Sequence, residues 1–245
     1  MTGITRSQSG ERWLPAVAAV FVTSLIVSNI IAVKLFSFGP AYLPAGTIVF
    51  PVSYIFGDVL TEVYGYARAR QIIWIGFACN LFAVLIIMLS IELPPAPIWR
   101  VLGSPEQSQR AFAALFGLAP RLLGASFVAY LAGEFLNSFV LARMKVATGG
   151  RYLWTRTIGS TLVGQFADSA FFVTLAFTGI IPSSGILGLV VSQWLVKSGY
   201  EVVATPLTYA VVNFLKRTEN SDFFDVGTDF TPFAWKLGER PEKAE

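Results

Sequence analysis

The chain has no histidine, which excludes a His-ligated metal and a His general base. Its one cysteine, Cys79, sits in an apolar run, so neither an intrachain disulfide nor a Cys-cluster zinc site can form. Charge is scarce: 13% of the 245 residues are Asp, Glu, Lys or Arg, against roughly 25% in a soluble domain. No glycine-rich stretch ending in Lys and Ser or Thr is present to cradle a phosphate, so any ATP use has to come from a partner. A membrane enzyme with carboxylate pairs as acid and base would have poor nucleophile and metal options, so neither an enzyme nor a cofactor is expected. What is abundant is apolar: 54% hydrophobic residues and 14% aromatics, 21 of them Phe. This composition describes an integral membrane protein folded as one bundle.

Hydropathy and breakers predict six spanning helices, at residues 14–36, 47–66, 72–91, 122–144, 158–180 and 187–215. The fold class is therefore an all-α membrane protein, a six-transmembrane-helix bundle over residues 1–215 with a polar tail at 216–245. Pro94, Pro95 and Pro97 stop the third helix. Ser104-Pro105-Glu106 opens a short amphipathic helix that carries Ala111, Phe112, Leu115 and Phe116 against Gln109 and Arg110, suited to the interface or to a lid. The tail, with Asp222, Phe223, Phe224, Asp225, Asp229 and Phe230, is expected to be exposed and partly disordered.

Positive charge sets the orientation. One set of ends carries Arg6, Arg12, Arg68, Arg70, Arg143, Lys145, Arg151, Arg156, Lys216 and Arg217; the other carries Arg100, Arg110 and Arg121. Lys- and Arg-rich ends stay cytoplasmic, which predicts both termini inside.

The stretch FPVSYIFGDVLTEVYGYARAR at 50–70 organises the rest. At helical spacing Tyr54, Asp58, Thr61, Glu62 and Gly65 share a face. Other ionisable residues fall in or at the edge of the spans: Lys34, Glu134, Asp168, Lys197 and Glu201. Facing lipid, these seven charges would cost roughly 17–25 kcal/mol at about 2.5–3.5 each. Convergence on one cavity avoids that cost, and a transporter needs such a cavity. Tyr130, Glu134, Asn137 and Ser138 share one face of the fourth helix; Thr161, Gln165, Asp168, Ser169 and Phe172 one face of the fifth; Gln193, Lys197, Tyr200, Glu201 and Thr205 one face of the sixth. Ser28 and Asn29 lie mid-span on the first. Each also has a plainer account: Lys197 can pair with Glu201, Asn29 and Asn137 can join helices, and Lys34 can snorkel to the headgroups.

Carboxylates, amides, one amine and aromatic rings suit a flat polar molecule, neutral or cationic. A guanine-like base offers ring N–H and NH₂ donors to one carboxylate, a carbonyl to an amide or amine donor, and faces that stack on aromatics for about 1–3 kcal/mol. A pyrimidine, a vitamin or an amine would satisfy the same set.

Longer motifs narrow the field. SNIIAVK at 28–34, the 50–70 stretch, EFLNSFVLARMK at 134–145, GRYLWTRTIGSTLVGQFADSAFF at 150–172, KSGYEVVATPLTY at 197–209 and DFFD at 222–225 resemble, in order along nearly the whole chain, the queuosine-precursor transporters, also called the vitamin uptake transporter family. The resemblance implies a six-helix protein of the bacterial inner membrane that imports 7-deazaguanine bases, chiefly 7-cyano-7-deazaguanine, for transfer-RNA queuosine. It further implies a likeness to the substrate-binding subunits of energy-coupling-factor vitamin transporters. The polar positions mapped by it include Lys34 and the expected site residues Asn29, Tyr54, Asp58, Glu62, Glu134, Asn137, Gln165, Asp168, Lys197 and Glu201. Asp58 and Glu62 are also the expected proton carriers. The expected partners are a small nucleobase-like substrate and membrane lipid, without direct nucleic acid; self-association as a homo-oligomer stays open. The alternative is a substrate-capture subunit that needs a separate energising partner.

Overall fold

A computed structural model describes residues 12–32, 34–38, 41–117, 120–179 and 182–219, with residues 223, 228 and 231 of the tail. The elements in order are α1 (Leu14–Ile31), β1 (Leu35–Phe38), β2 (Ala41–Pro44), a 3-10 turn (Ala45–Ile48), α2 (Phe50–Tyr64), α3 (Tyr66–Glu92), α4 (Pro105–Gly117), α5 (Pro120–Ala147), α6 (Leu153–Phe177) and α7 (Ser183–Glu219).

The bundle is helical with one exception to the all-α expectation. The first helix stops at Ile31 rather than 36, and Leu35 to Phe38 pairs antiparallel with Ala41 to Pro44. An apolar run reads the same in a helix and a short strand, and the aromatics of LFSF and AYLP suit a pleated ribbon. The 3-10 turn then packs on α1 so closely that a Cβ on Gly46 would stand 2.5 Å from the Ser28 carbonyl oxygen.

The expected second span is also broken. Gly65 adopts φ 85° and ψ 162°, a region open essentially to glycine, so α2 ends at Tyr64 and Arg68 and Arg70 belong to α3. At 15 residues α2 is about 22 Å long, short of a hydrocarbon core of about 30 Å. Among the described residues, four helices are long and apolar enough to cross a membrane: α1, α3, α5 over Gly124–Ala147, and α6.

Contacts at one end fix the helix directions. The Trp13 N–H at the start of α1 donates to Glu219 at the end of α7. The ends of α2, α5 and α7 meet the beginning of α6 through Glu62, Lys145, Lys216 and Arg156. At the opposite end Arg121 of α5 donates to the carbonyls of Leu175 and Thr178, satisfying the last turn of α6. The helices α1, α2, α3, α5, α6 and α7 therefore alternate in direction, with α4 packed aside on α3. Ser104 caps α4 through the Gln107 N–H, and Gln109 donates to the Ile91 carbonyl, closing the end of α3. Glu106, in the first turn of α4, has its carboxyl held below the usual carboxylate range by its own backbone N–H and the Ser104 hydroxyl.

α5 and α6 pack without a gap. A Cβ on Gly164 would stand 2.8 Å from both the Asn137 Cβ and the Gly133 carbonyl oxygen. Small residues that let two backbones meet replace the hydrophobic drive that lipid cannot supply. The apolar core runs through Phe21, Leu25, Val59, Leu60, Ile73 and Tyr130, while α3 turns Phe82, Leu85 and Leu89 outward.

Candidate functional site

Buried charge in this bundle forms two clusters, and α2 contributes to both. The first is built on Glu62, which is fully buried. One of its carboxylate oxygens accepts from Arg156 Nη2 at 2.9 Å and from Lys216 Nζ at 2.7 Å, with Lys145 Nζ 3.6 Å away. Lys145 also donates to the backbone carbonyl of Glu62, an unpaired group of the last turn of α2, and to the carbonyl of Phe223. The Phe223 ring lies directly on Gly65, where a Cβ would collide with it. Arg70, stacked over Tyr66, donates to the Thr231 carbonyl. The tail is thus not free at these points: Phe223 is half-buried, and α7 runs past the expected end at 215 to Glu219.

The second cluster begins one turn earlier on α2. Asp58 accepts a hydrogen bond from the Asn137 amide at 2.7 Å, and Thr61 links α2 to Ser138 of α5 at 3.1 Å. Asp58 and Glu201 are neighbours across α2 and α7, and Glu134 faces both Glu201 and Asp168. Asp168 and Lys197 form an ion pair between α6 and α7. Glu134 is 0% exposed, and neither of its carboxylate oxygens has a partner among the described residues. Gly57 makes room for it, since a Cβ there would run into the Glu134 carboxyl. Among the described residues, further buried atoms without a partner are both amide atoms of Asn29, Asp58 Oδ2, the Tyr130 hydroxyl, Asn137 Oδ1, Gln165 Oε1, Gln193 Oε1 and Glu201 Oε1, and in the first cluster Glu62 Oε2 with Arg156 Nε and Nη1. A buried polar group left unpaired costs about 1–3 kcal/mol, so this concentration is a reserve of unused bonding capacity. A small cavity of about 10 Å³, lined by Thr47, Ser126, Asp168, Phe172, Gln193 and Lys197, opens beside it; it has room for one water molecule.

Of the residues expected from sequence, Asn29, Asp58, Glu134, Asn137, Gln165, Asp168, Lys197 and Glu201 are all buried, and ion pairing, hydrogen bonding or facing charge joins most of them directly. Glu62 belongs to the other cluster, because three cations claim it. The Tyr54 side chain lies outside the described residues. Lys34 is exposed at the end of α1, as a snorkelling lysine would be, and Tyr200 is half exposed, off the buried face of α7. Sequence reasoning counted Lys145, Arg156 and Lys216 as loop charges, yet Lys145 and Arg156 are fully buried. Their signal was present: each lies within about a turn of a span end, and Glu62 needed a counter-charge.

A membrane bundle whose interior holds charged and amide groups on facing helices is the arrangement expected of a multi-pass transporter. The family profile described as "putative vitamin uptake transporter" matches residues 44–211, and the chain belongs to that family. It is 30% identical over 177 residues to a Bacillus subtilis protein named "probable queuosine precursor transporter", covering 72% of this chain and 74% of that one. It is 30% identical over 132 residues to the Escherichia coli "queuosine precursor transporter", covering 54% of each. No solved structure matches the chain, so the resemblance to energy-coupling-factor subunits rests on sequence alone.

Proposed function

We propose that the chain imports a 7-deazaguanine precursor of queuosine across the bacterial inner membrane, with both termini cytoplasmic and α2 and α7 crossing along with the four apolar helices. The observation that carries this reading is Glu134, a carboxyl buried among three others with neither oxygen satisfied by the described residues. One carboxylate can accept both the ring N–H and the NH₂ of a guanine edge. Asn29, Asn137 or Gln165 supplies the donor for its carbonyl, and Phe172, on the cavity wall, supplies a stacking face. The names of the relatives favour this base over the pyrimidine, vitamin or amine that would fit the same groups.

A cavity of about 10 Å³ does not admit a base, so binding requires the walls to part. The Asp168–Lys197 pair between α6 and α7 is the contact to open, and α7 the element to move. Alternating access of this kind exposes a fixed central site to each side in turn. Asp58 and Glu201 are the proton carriers of the proposal; Glu62 is not, because its charge is committed to three cations.

The test is rescue. The chain is expressed alone in bacteria that neither synthesise the deazaguanine nor possess an importer, nanomolar 7-cyano-7-deazaguanine is supplied, and queuosine in transfer RNA is assayed. Queuosine is expected to return, and Asp168→Asn is expected to abolish it with the protein still inserted. No rescue by inserted wild-type chain that nevertheless binds the base would make it a capture subunit with a separate energising partner; no rescue and no binding would end this reading.

A further inference from the structure

The unpaired atoms of the second cluster are unequal in kind. Asp58 Oδ2, both oxygens of Glu134 and Glu201 Oε1 are carboxylate oxygens, which accept when ionised and cannot donate. Among the described residues four carboxyls, Asp58, Glu134, Asp168 and Glu201, gather there, and the ammonium among them is that of Lys197, which is engaged with Asp168. The only other lysine that sequence placed near, Lys34, is exposed. Gly57 of α2 also lies directly against the Glu134 carboxyl.

A neutral base satisfies such a site incompletely. Its guanine edge meets one carboxylate and brings nothing to the other carboxyls, whose ionised forms a low-dielectric interior disfavours until a cation arrives. A protonated amine attached to the base offers three further donors and a positive charge. Charge-assisted bonds of that kind are roughly twice as strong as neutral ones.

We infer that the site selects a base carrying a protonated amine arm over the same base with a neutral arm, with Glu134, supported by Asp58 and Glu201, as the group that recognises the ammonium. This rests on the function proposed above and adds the charge of the ligand to it. In the terms of that proposal, 7-aminomethyl-7-deazaguanine is the preferred cargo and 7-cyano-7-deazaguanine the weaker one.

The experiment is equilibrium binding of these two bases to the purified full-length protein in detergent or nanodiscs, on wild type and on Glu134→Gln. The aminomethyl base is expected to bind at least tenfold more tightly to wild type. In Glu134→Gln that ratio is expected to fall to within about twofold. A general structural defect would weaken both bases and leave the ratio intact, so the ratio isolates recognition. Equal or tighter binding of the cyano base to wild type overturns the inference while leaving the proposed function standing. A tenfold preference that persists in Glu134→Gln overturns the assignment to Glu134. Binding of neither base removes the proposed function and the inference with it.

Discussion

Glu62 and Asp58 stand one turn apart on α2, both buried, and their surroundings differ completely. Glu62 is met by Arg156, Lys216 and Lys145, drawn from α6, α7 and α5. Asp58 is met by one amide and by further carboxyls. A charge that has gathered its counter-charges holds helices together. A carboxyl left among carboxyls does not join helices in that way, and the proposed function gives it to the cargo. Two carboxyls one turn apart on one helix thus hold the bundle in one cluster and, in the proposed function, receive cargo in the other, and the partner set tells them apart.

The largest effect should come from the ion-paired cluster. Glu62→Ala would leave three cations facing one another where four helix ends meet. Removing one partner of a buried pair costs about 3–5 kcal/mol, so the thermal midpoint in detergent should drop sharply, with poor monodisperse yield. A midpoint close to that of wild type would collapse the distinction between the clusters.

Gly57→Ala should come next. The added methyl runs into the Glu134 carboxyl, which overpacking places at about 1–3 kcal/mol of stability, and uptake should fall with it. Combined with Glu134→Ala, which empties that space, the stability cost should shrink markedly; a cost that stays additive would show that the two groups do not touch.

The smallest effect is expected at the tail. Phe223→Ala removes a half-buried ring from Gly65, worth about 1–2 kcal/mol by the area it covers, and uptake should persist. Loss of uptake with little loss of stability would move the tail from anchor to working part.

Much of this was legible in the chain. Glu134 and Asp168 have no basic residue within a turn on their own helices, so the pairing within one helix that accounts for Lys197 and Glu201 does not account for them. What escaped had physical reasons. LFSF continues an apolar run, and hydropathy does not distinguish the end of a helix from a buried strand. VYGYARAR keeps a helical pattern across Gly65, although a glycine before a basic turn is also how helices end. The partners of Glu62 lie 83, 94 and 154 residues away, and a rule that counts basic residues at span ends assigns them to topology and stops there.

The central claim is that the unsatisfied carboxyl at Glu134 is where cargo binds. The most direct test is the thermal midpoint of purified wild type and Glu134→Gln, each titrated with 7-aminomethyl-7-deazaguanine. Binding to the native state raises the midpoint with ligand concentration. The account predicts equal midpoints without ligand or a higher one for Glu134→Gln, a rising midpoint for wild type, and at least a tenfold weaker response in the variant. The same response to ligand in both proteins would contradict it.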